Sequence, residues 1–253
     1  MEIIFLGTGT SQGIPIIGSK DPVCLSTNIK DKRLRSSIFI SRKDKQIVID
    51  TGPDFRQQML RNDIDKIDAI LYTHEHSDHT AGIDDIRPFC MRYGPMPIYA
   101  QERVMANLKE RFKYIFATEN RYVGAPSVEP HIVNKTSFKI GALEIVPIEV
   151  GHGKILILGF RIEDFAYLTD VKTIAETEKS KLKGVNTLVV NALRIAKHPT
   201  HFNLQEALDL IKEINPQKAY LTHISHKLGF HKAVEKILPK NVFLAYDNLK
   251  ISV

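Results

Sequence analysis

One segment, Ala69-Ile-Leu-Tyr-Thr-His-Glu-His-Ser-Asp-His79, constrains the fold of this chain more than any other. An apolar run with strand character, Ala69–Tyr72, leads straight into His74, His76, Asp78 and His79 in the pattern His-x-His-x-Asp-His. His74 and His76 are two apart and project the same way from an extended backbone, whereas Asp78 and His79 can turn toward a second point beyond the strand end. Imidazole and carboxylate at this density suit zinc, manganese or iron, and one such segment can serve two adjacent ions. Two ions need further ligands, which the fold has to bring to the same place. His152 follows the apolar run Leu143–Val150, Asp170 follows Ala166–Leu168 in Tyr-Leu-Thr-Asp, and His223 follows Ala219–Leu221 in Tyr-Leu-Thr-His. Ligands at the ends of several strands predict a site built by loops along one edge of a sheet.

The rest of the chain supports an α/β architecture. Short β-branched runs predict strands at Ile3–Leu6, Ile38–Ile40, Ile47–Ile49, Ala69–Tyr72, Leu143–Ile148, Ile155–Ile162, Ala166–Leu168, Thr187–Val190, Ala219–Leu221 and Val242–Ala245. Helices are predicted over Gln101–Phe116, Asn203–Ile214 and His231–Leu238, the second opening on a capping-box pair, Asn203 and Glu206. No linker rich in Gly, Pro or Ser divides the chain, so a single domain over residues 1–253 is expected.

Composition removes several classes. Of 253 residues, 43% are hydrophobic and 25% charged, which excludes disorder and collagen. Two cysteines, Cys24 and Cys90, make no disulfide framework. The opening MEIIFLGTGTSQG lacks a basic leader, and no apolar run is long enough to span a bilayer, so a cytoplasmic protein without membrane contact is expected. A net charge of +6 favours anionic partners, phosphate esters or nucleic acid.

The order Phe5-Leu-Gly-Thr-Gly-Thr10, Ile49-Asp-Thr-Gly52, His74-x-His76-x-Asp78-His79, His152, Asp170 and His223 resembles the metallo-β-lactamase superfamily along most of the chain. The resemblance implies an αββα four-layer sandwich, two mixed sheets flanked by helices. It also implies that His74, His76 and His152 hold one divalent ion, Asp78, His79 and His223 the other, and that Asp170 bridges them while Asp50 supports the cluster from behind. Two branches are nearest: PhnP-type phosphodiesterases, which open cyclic ribose phosphates, and ribonuclease Z, the tRNA 3′-processing endonuclease. Both carry a further catalytic histidine ahead of the last ligand. Of the two in His198-Pro-Thr-His201, His201 has the matching spacing, 22 positions before His223. The long arm by which ribonuclease Z grips tRNA has only a short counterpart, Tyr122–Pro130, which favours small or cyclic phosphodiesters.

The PhnP branch also carries a cysteine-rich structural zinc loop. Here Ser19, Asp21 and Cys24, with His226, make a poor zinc set, so that ion is expected to be absent or weak and Asp21 to hydrogen-bond His226 instead. The implied reaction is attack by a hydroxide bridging the two ions, with Asp78 orienting or deprotonating the nucleophile and His201 serving the leaving oxygen. Arg35, Ser36 and Ser37, read as a loop, either face substrate phosphate or, for Arg35, form a surface charge. Arg87–Gly94 either lines the pocket or packs. A thiolester hydrolase or a single-iron dioxygenase uses part of the same ligand set, but ligands for two ions favour the hydrolase. A homodimer is the default expectation for a soluble enzyme.

Overall fold

A computed structural model describes residues 1–253. Strands β1 (Glu2–Gly7), β2 (Ser37–Arg42), β3 (Lys45–Ile49), β4 (Ala69–Leu71), β5 (Met96–Ala100) and β6 (Val128–Ile132) form the first sheet. The second sheet holds β7 (Phe138–Ile140), β8 (Leu143–His152), β9 (Ile155–Ile162), β10 (Phe165–Leu168), β11 (Thr173–Ile174), β12 (Thr187–Asn191), β13 (Lys218–Thr222) and β14 (Val242–Leu244). The last strand, β15 (Lys250–Ser252), returns to pair with β1. The helices are α1 (Pro22–Leu25), α2 (Phe55–Arg61), α3 (Ser77–Thr80), α4 (Arg87–Tyr93), α5 (Glu102–Arg111), α6 (Lys113–Phe116), α7 (Glu176–Lys179), α8 (Leu204–Ile214) and α9 (His231–Glu235).

Alternation along the strands builds the layers, because successive side chains point to opposite faces of a sheet. Ile3, Phe5, Ile47, Ile49, Ala69 and Leu71 pack between the sheets against Leu158, Phe160, Tyr167 and Val189. Their neighbours Ile4, Leu6, Val48 and Ile70 face the other way, onto Phe55 and Met59 of α2 and Val104, Met105 and Leu108 of α5. On the second sheet Leu188 and Val190 face α8 through Leu204, Ala207, Leu210 and Ile211. Three apolar layers therefore separate four layers of secondary structure, and the fold is the αββα sandwich of two mixed sheets.

Two predicted helices are shorter than their periodicity suggested. Gln101–Phe116 breaks at Phe112, whose backbone leaves the helical region and separates α5 from α6. His231–Leu238 stops as helix at Glu235, ahead of Pro239. The capping box at α8 forms in both directions: the Asn203 side chain accepts from Glu206 N at 2.9 Å, and Glu206 accepts from Asn203 N at 2.9 Å. Such a cap is worth about 1 kcal/mol.

The turn after β3 sets the place of α3. Thr51 N donates to His79 O and Gly82 N donates to Thr51 O, both at 2.8 Å. This backbone approach leaves no room for a side chain, since a Cβ on Gly52 would lie 2.2 Å from Asp78 O. Gly52→Ala is expected to destabilise the protein by about 1–3 kcal/mol through overpacking. Urea unfolding with an unchanged slope would measure it, and a neutral result would mean that α3 can shift at no cost.

Candidate metal centre

Strand direction brings the site together. In the first sheet β1 and β3 to β6 run one way; in the second, β8, β10, β12, β13 and β14 share a direction. The residues singled out in the sequence lie at the C-terminal ends of these strands. Asp50 follows β3, His74 and His76 follow β4, His152 ends β8, Asp170 follows β10 and His223 follows β13. His152 is thus the last strand residue of a longer β8 rather than part of a loop. Asp50, Asp170 and His223 leave their strands in the left-handed conformation, with φ of 65°, 59° and 52°. For residues other than glycine this costs on the order of 1–3 kcal/mol each, and it persists where surrounding contacts over-determine it.

All seven residues expected as ligands come together. His74, His76 and His152 form one group with ring nitrogens within 4.8 Å of one another, and Asp78, His79 and His223 form another. Asp170 touches both sides, grouping with His74 and His79 and again with His152 and His201. His76 is the exposed member, and the others are buried or nearly so. His152 Nδ1 donates to the carbonyls of Asp170 and Thr200, at 2.9 and 3.0 Å, which leaves Nε2 as the nitrogen with a free lone pair. Asp50 sits behind the cluster as expected: Thr73 N and Oγ1 donate to it at 2.9 and 2.8 Å, and His79 Nδ1 at 2.6 Å.

The donor set fits divalent cations. His79 Nε2 is buried with no hydrogen-bond partner, although carboxylate oxygens of Asp78 and Asp170 lie 3.1 and 3.3 Å away. His74 Nε2 and His76 Nδ1 face each other at 3.0 Å. Lone pairs and carboxylates aimed at common points are what a cation, rather than further hydrogen bonds, completes. The electrostatics agree. Burial, helped by the charge on His79, pushes His74 well below its ordinary value, and burial brings His223 down to about 4 against the pull of Asp170. Burial opposes ionisation of Asp78 and Asp170 as well, yet neighbouring imidazoles hold both carboxylates below their usual range. For His79 the carboxylates of Asp78, Asp170 and Asp50 outweigh burial and hold the imidazolium well above its usual value.

His201 lies at the rim with its side chain 13% exposed, its Nε2 3.0 Å from Asp170 Oδ1. Its Nδ1 is 2.9 Å from Thr200 Oγ1 and 3.1 Å from His198 Nδ1, so both histidines of the His198-Pro-Thr-His201 segment belong to one contact group. Other readings that the sequence left open find their place, and one expected bond is absent. Arg35 pairs with Asp54 at 3.0 Å, Ser36 Oγ donates to Gly9 O, and Ser37 starts β2 with Oγ on Asp50 O. Both serines are buried, so this segment braces the strand ends instead of facing a phosphate. Asp21 accepts from Val23 N at the start of α1, while His226 Nδ1 is buried without a partner, so the expected Asp21 to His226 bond does not form. Cys24 packs with Ile14 and Val23. Arg87–Gly94 forms α4, which packs through Phe89.

Several residues near the site escaped the sequence reading. Thr10 Oγ1 lies 3.1 Å from His223 Nε2, and Arg103 and Arg111 of α5 reach the segment that carries His74 to His79. The one available signal was the threonine that precedes a site residue four times, at Thr73, Thr169, Thr200 and Thr222. Thr73, Thr169 and Thr200 do bond the residues that follow them.

Residues 45–224 match the model of the beta-lactamase superfamily domain. A crystal structure of a diphosphatase from the PhnP family is 39% identical with a TM-score of 0.93, covering 100% of this chain and 97% of that one. The octanoyltransferase of Porphyromonas gingivalis is 39% identical over 253 residues, 99% of this chain but 51% of that protein. Ribonuclease Z of Bacillus licheniformis is 28% identical over 191 residues, 74% of this chain and 55% of that protein. The chain therefore spans about half the length of these two relatives.

The raised value of His79 contributes stability that is full below about pH 6.5 and is lost as pH rises through the raised value, while the lowered Asp78 and Asp170 contribute above the ordinary carboxylate range and lose it on acidification. Protein stripped with EDTA and titrated with zinc at pH 7 should release at least one proton per chain, that of His79, because a ligand must shed its proton to bind. Calorimetry in buffers of different ionisation enthalpy measures this, and heats independent of buffer would show that His79 enters the site unprotonated.

Proposed function

Because this chain belongs to the beta-lactamase superfamily and, within it, to the PhnP family, we propose that it is a two-metal hydrolase of phosphodiester bonds, acting on small or cyclic ribose phosphodiesters. One observation carries the reading: the two ligand groups meet at Asp170, and His201 stands against the same carboxylate from the open rim, 3.0 Å away. His74, His76 and His152 would hold one divalent ion, Asp78, His79 and His223 the other, with Asp170 between them. Bound zinc, manganese or iron would supply Lewis acidity toward phosphoryl oxygens and a water acidic enough to ionise near neutral pH.

The chain's own groups do the rest. Asp78 is kept ionised by His79 despite its burial, so it serves as an acceptor that orients the attacking water. His201 presents Nε2 at the rim, where it can give a proton to the leaving oxygen, and Thr200 and His198 hold its other nitrogen. Nothing in this arrangement stores an acyl group on a nucleophilic side chain. Together with the half-length match, this is why we do not carry octanoyl transfer over to this chain.

Substrate size rests on the surface around the site. Residues 117–127 only link α6 to β6 and form no arm that would grip a folded RNA. The diphosphatase relative, matched over nearly its full length, also supports a small phosphate ester. A nucleic-acid end is the second reading, favoured by the net charge of +6 and the ribonuclease Z relative. A thiolester hydrolase or single-iron dioxygenase is the third, and the dioxygenase would hold about one metal per chain.

The test is turnover by manganese-loaded and zinc-loaded protein of a five-membered cyclic ribose phosphodiester, a dinucleoside diphosphate and a precursor tRNA, with bound metal counted. Ring opening is expected, and His201→Ala should lower kcat by about 10²–10⁴ with metal content unchanged. Metal loss in that variant would make His201 a ligand. Two metals per chain with no hydrolysis of any of these esters would overturn the proposal.

A further inference from the structure

Helix α5 contacts the metal-binding segment through two arginines, Arg103 and Arg111, and does so in two different places. Arg103 Nη1 pairs with Glu75 Oε1, and its Nη2 donates to Leu156 O at 2.8 Å. Glu75 lies between His74 and His76 in the chain. Leu156 lies opposite Gly151 in the β8–β9 ladder, one pair away from His152. Arg103 therefore ties the segment after β4, in the first sheet, to the hairpin of the second sheet that supplies His152. Those two segments provide all three residues of the His74, His76 and His152 group, and a backbone bond, Leu158 N to Thr73 O at 3.1 Å, flanks the same junction.

Arg111 lies two turns further along α5, shares Glu75 with Arg103 through that residue's carbonyl, and otherwise grips α3. It donates to Glu75 O at 3.0 Å, Thr80 Oγ1 at 2.9 Å and Ser77 Oγ at 3.1 Å. Ser77 and Thr80 bound α3, the single turn that carries Asp78 and His79. One arginine thus holds the edges of one ligand group, and the other holds the element behind the second group. Neither arginine reaches a ligand atom itself.

Resting on the two-metal reading, we propose that Arg103 and Arg111 are positioning residues that divide the metal centre between them: Arg103 sets the affinity of the three-histidine site and Arg111 that of the Asp78, His79 and His223 site. A general structural role fits less well. The Arg103 and Glu75 side chains are 40% and 19% exposed, and ion pairs so placed add little to global stability. Their geometric effect is larger. Glu75 Oε2 is buried with no partner, so without Arg103 the carboxylate has no counter-charge on its inner side. Without Arg103 the side chain between His74 and His76 also loses its tie to Leu156 O in the second sheet.

The experiment is competition with a chelator of known affinity on the intact chain, resolving two zinc-binding steps, alongside urea unfolding after EDTA treatment. Arg103→Ala should weaken one step by about 10–100-fold, the range for residues that orient metal ligands, and leave the other nearly unchanged. His152→Ala, which removes a member of the three-histidine group, should abolish that same step, and adding Arg103→Ala to it should change nothing more. Arg111→Ala should weaken the other step. Arg103→Lys, able to pair with Glu75 but not to span to Leu156 O as well, should fall between. Unchanged affinities in Arg103→Ala, or equal losses in both steps with a shifted urea midpoint, would overturn the assignment. Two clean steps in a protein that hydrolyses no phosphodiester would leave the division standing and sink the proposed activity, whereas a single step in the unmodified protein would remove both.

Discussion

A carboxylate as buried as Asp170, at 2% exposure, would on desolvation alone be driven to its neutral form. It is held ionised by imidazoles on three sides: His79, His201 and His223 place ring nitrogens 3.0–3.3 Å from its oxygens. The dependence is mutual, because His79 keeps its proton only through Asp50, Asp78 and Asp170. Removing one partner from such a set leaves an uncompensated buried charge, which is far more costly than an intact pair is stabilising. The ligands are consequently a cooperative unit, and the fold's first task is to deliver them together.

Strand direction and three strained residues accomplish that delivery. Each sheet sends the C-terminal ends of its like-directed strands to one edge, and the interior packing of Phe5, Phe160 and Tyr167 keeps those edges opposed. Asp50, Asp170 and His223 then turn in the left-handed region at the strand ends. Against a typical net stability of about 5–15 kcal/mol, three such residues are a substantial burden. The contacts that fix them are visible: Asp50 is pinned by Thr73 and His79, Asp170 by His201 and the carbonyl bond to His152, and His223 by Thr10.

Much of this was legible in the residues. A dense His and Asp pattern after an apolar run marks its own chemistry; His152, Asp170 and His223 were found because each also follows an apolar run, and His201 by the spacing to His223 that the resemblance implies. An unbroken apolar run such as Ile3–Leu6 marks a strand buried on both faces, whereas the four-layer order was implied by the family resemblance. What stayed hidden depends on tertiary partners. Met96–Ala100 and Val128–Ile132 carry prolines and a polar edge, so they read weakly as strands although they complete the first sheet. Arg35, Ser36 and Ser37 have the composition of a phosphate-binding loop, and only the fold reveals that Asp54, Gly9 and Asp50 take their hydrogen bonds. The break at Phe112 has no proline or glycine to announce it.

The division of the ligands between sheets has a consequence for how the centre is held. Residues 74 to 79 come from the first sheet, whereas His152, Asp170 and His223 come from the second, so neither ligand group is complete within one half of the sandwich. A cation bound by both halves favours the docked arrangement over any opened one, by an amount that grows with its affinity. The ties across the junction, Leu158 N to Thr73 O and the Glu75, Arg103 and Leu156 chain, act in the same direction before any cation arrives. Pre-setting the gap between the sheets lowers the reorganisation that binding must drive, which is the usual route from a merely adequate ligand set to a tight one. Sequence patterns mark the ligands because their chemistry is specific; the residues that set their spacing are ordinary arginines and glutamates, distinguishable only by what they touch.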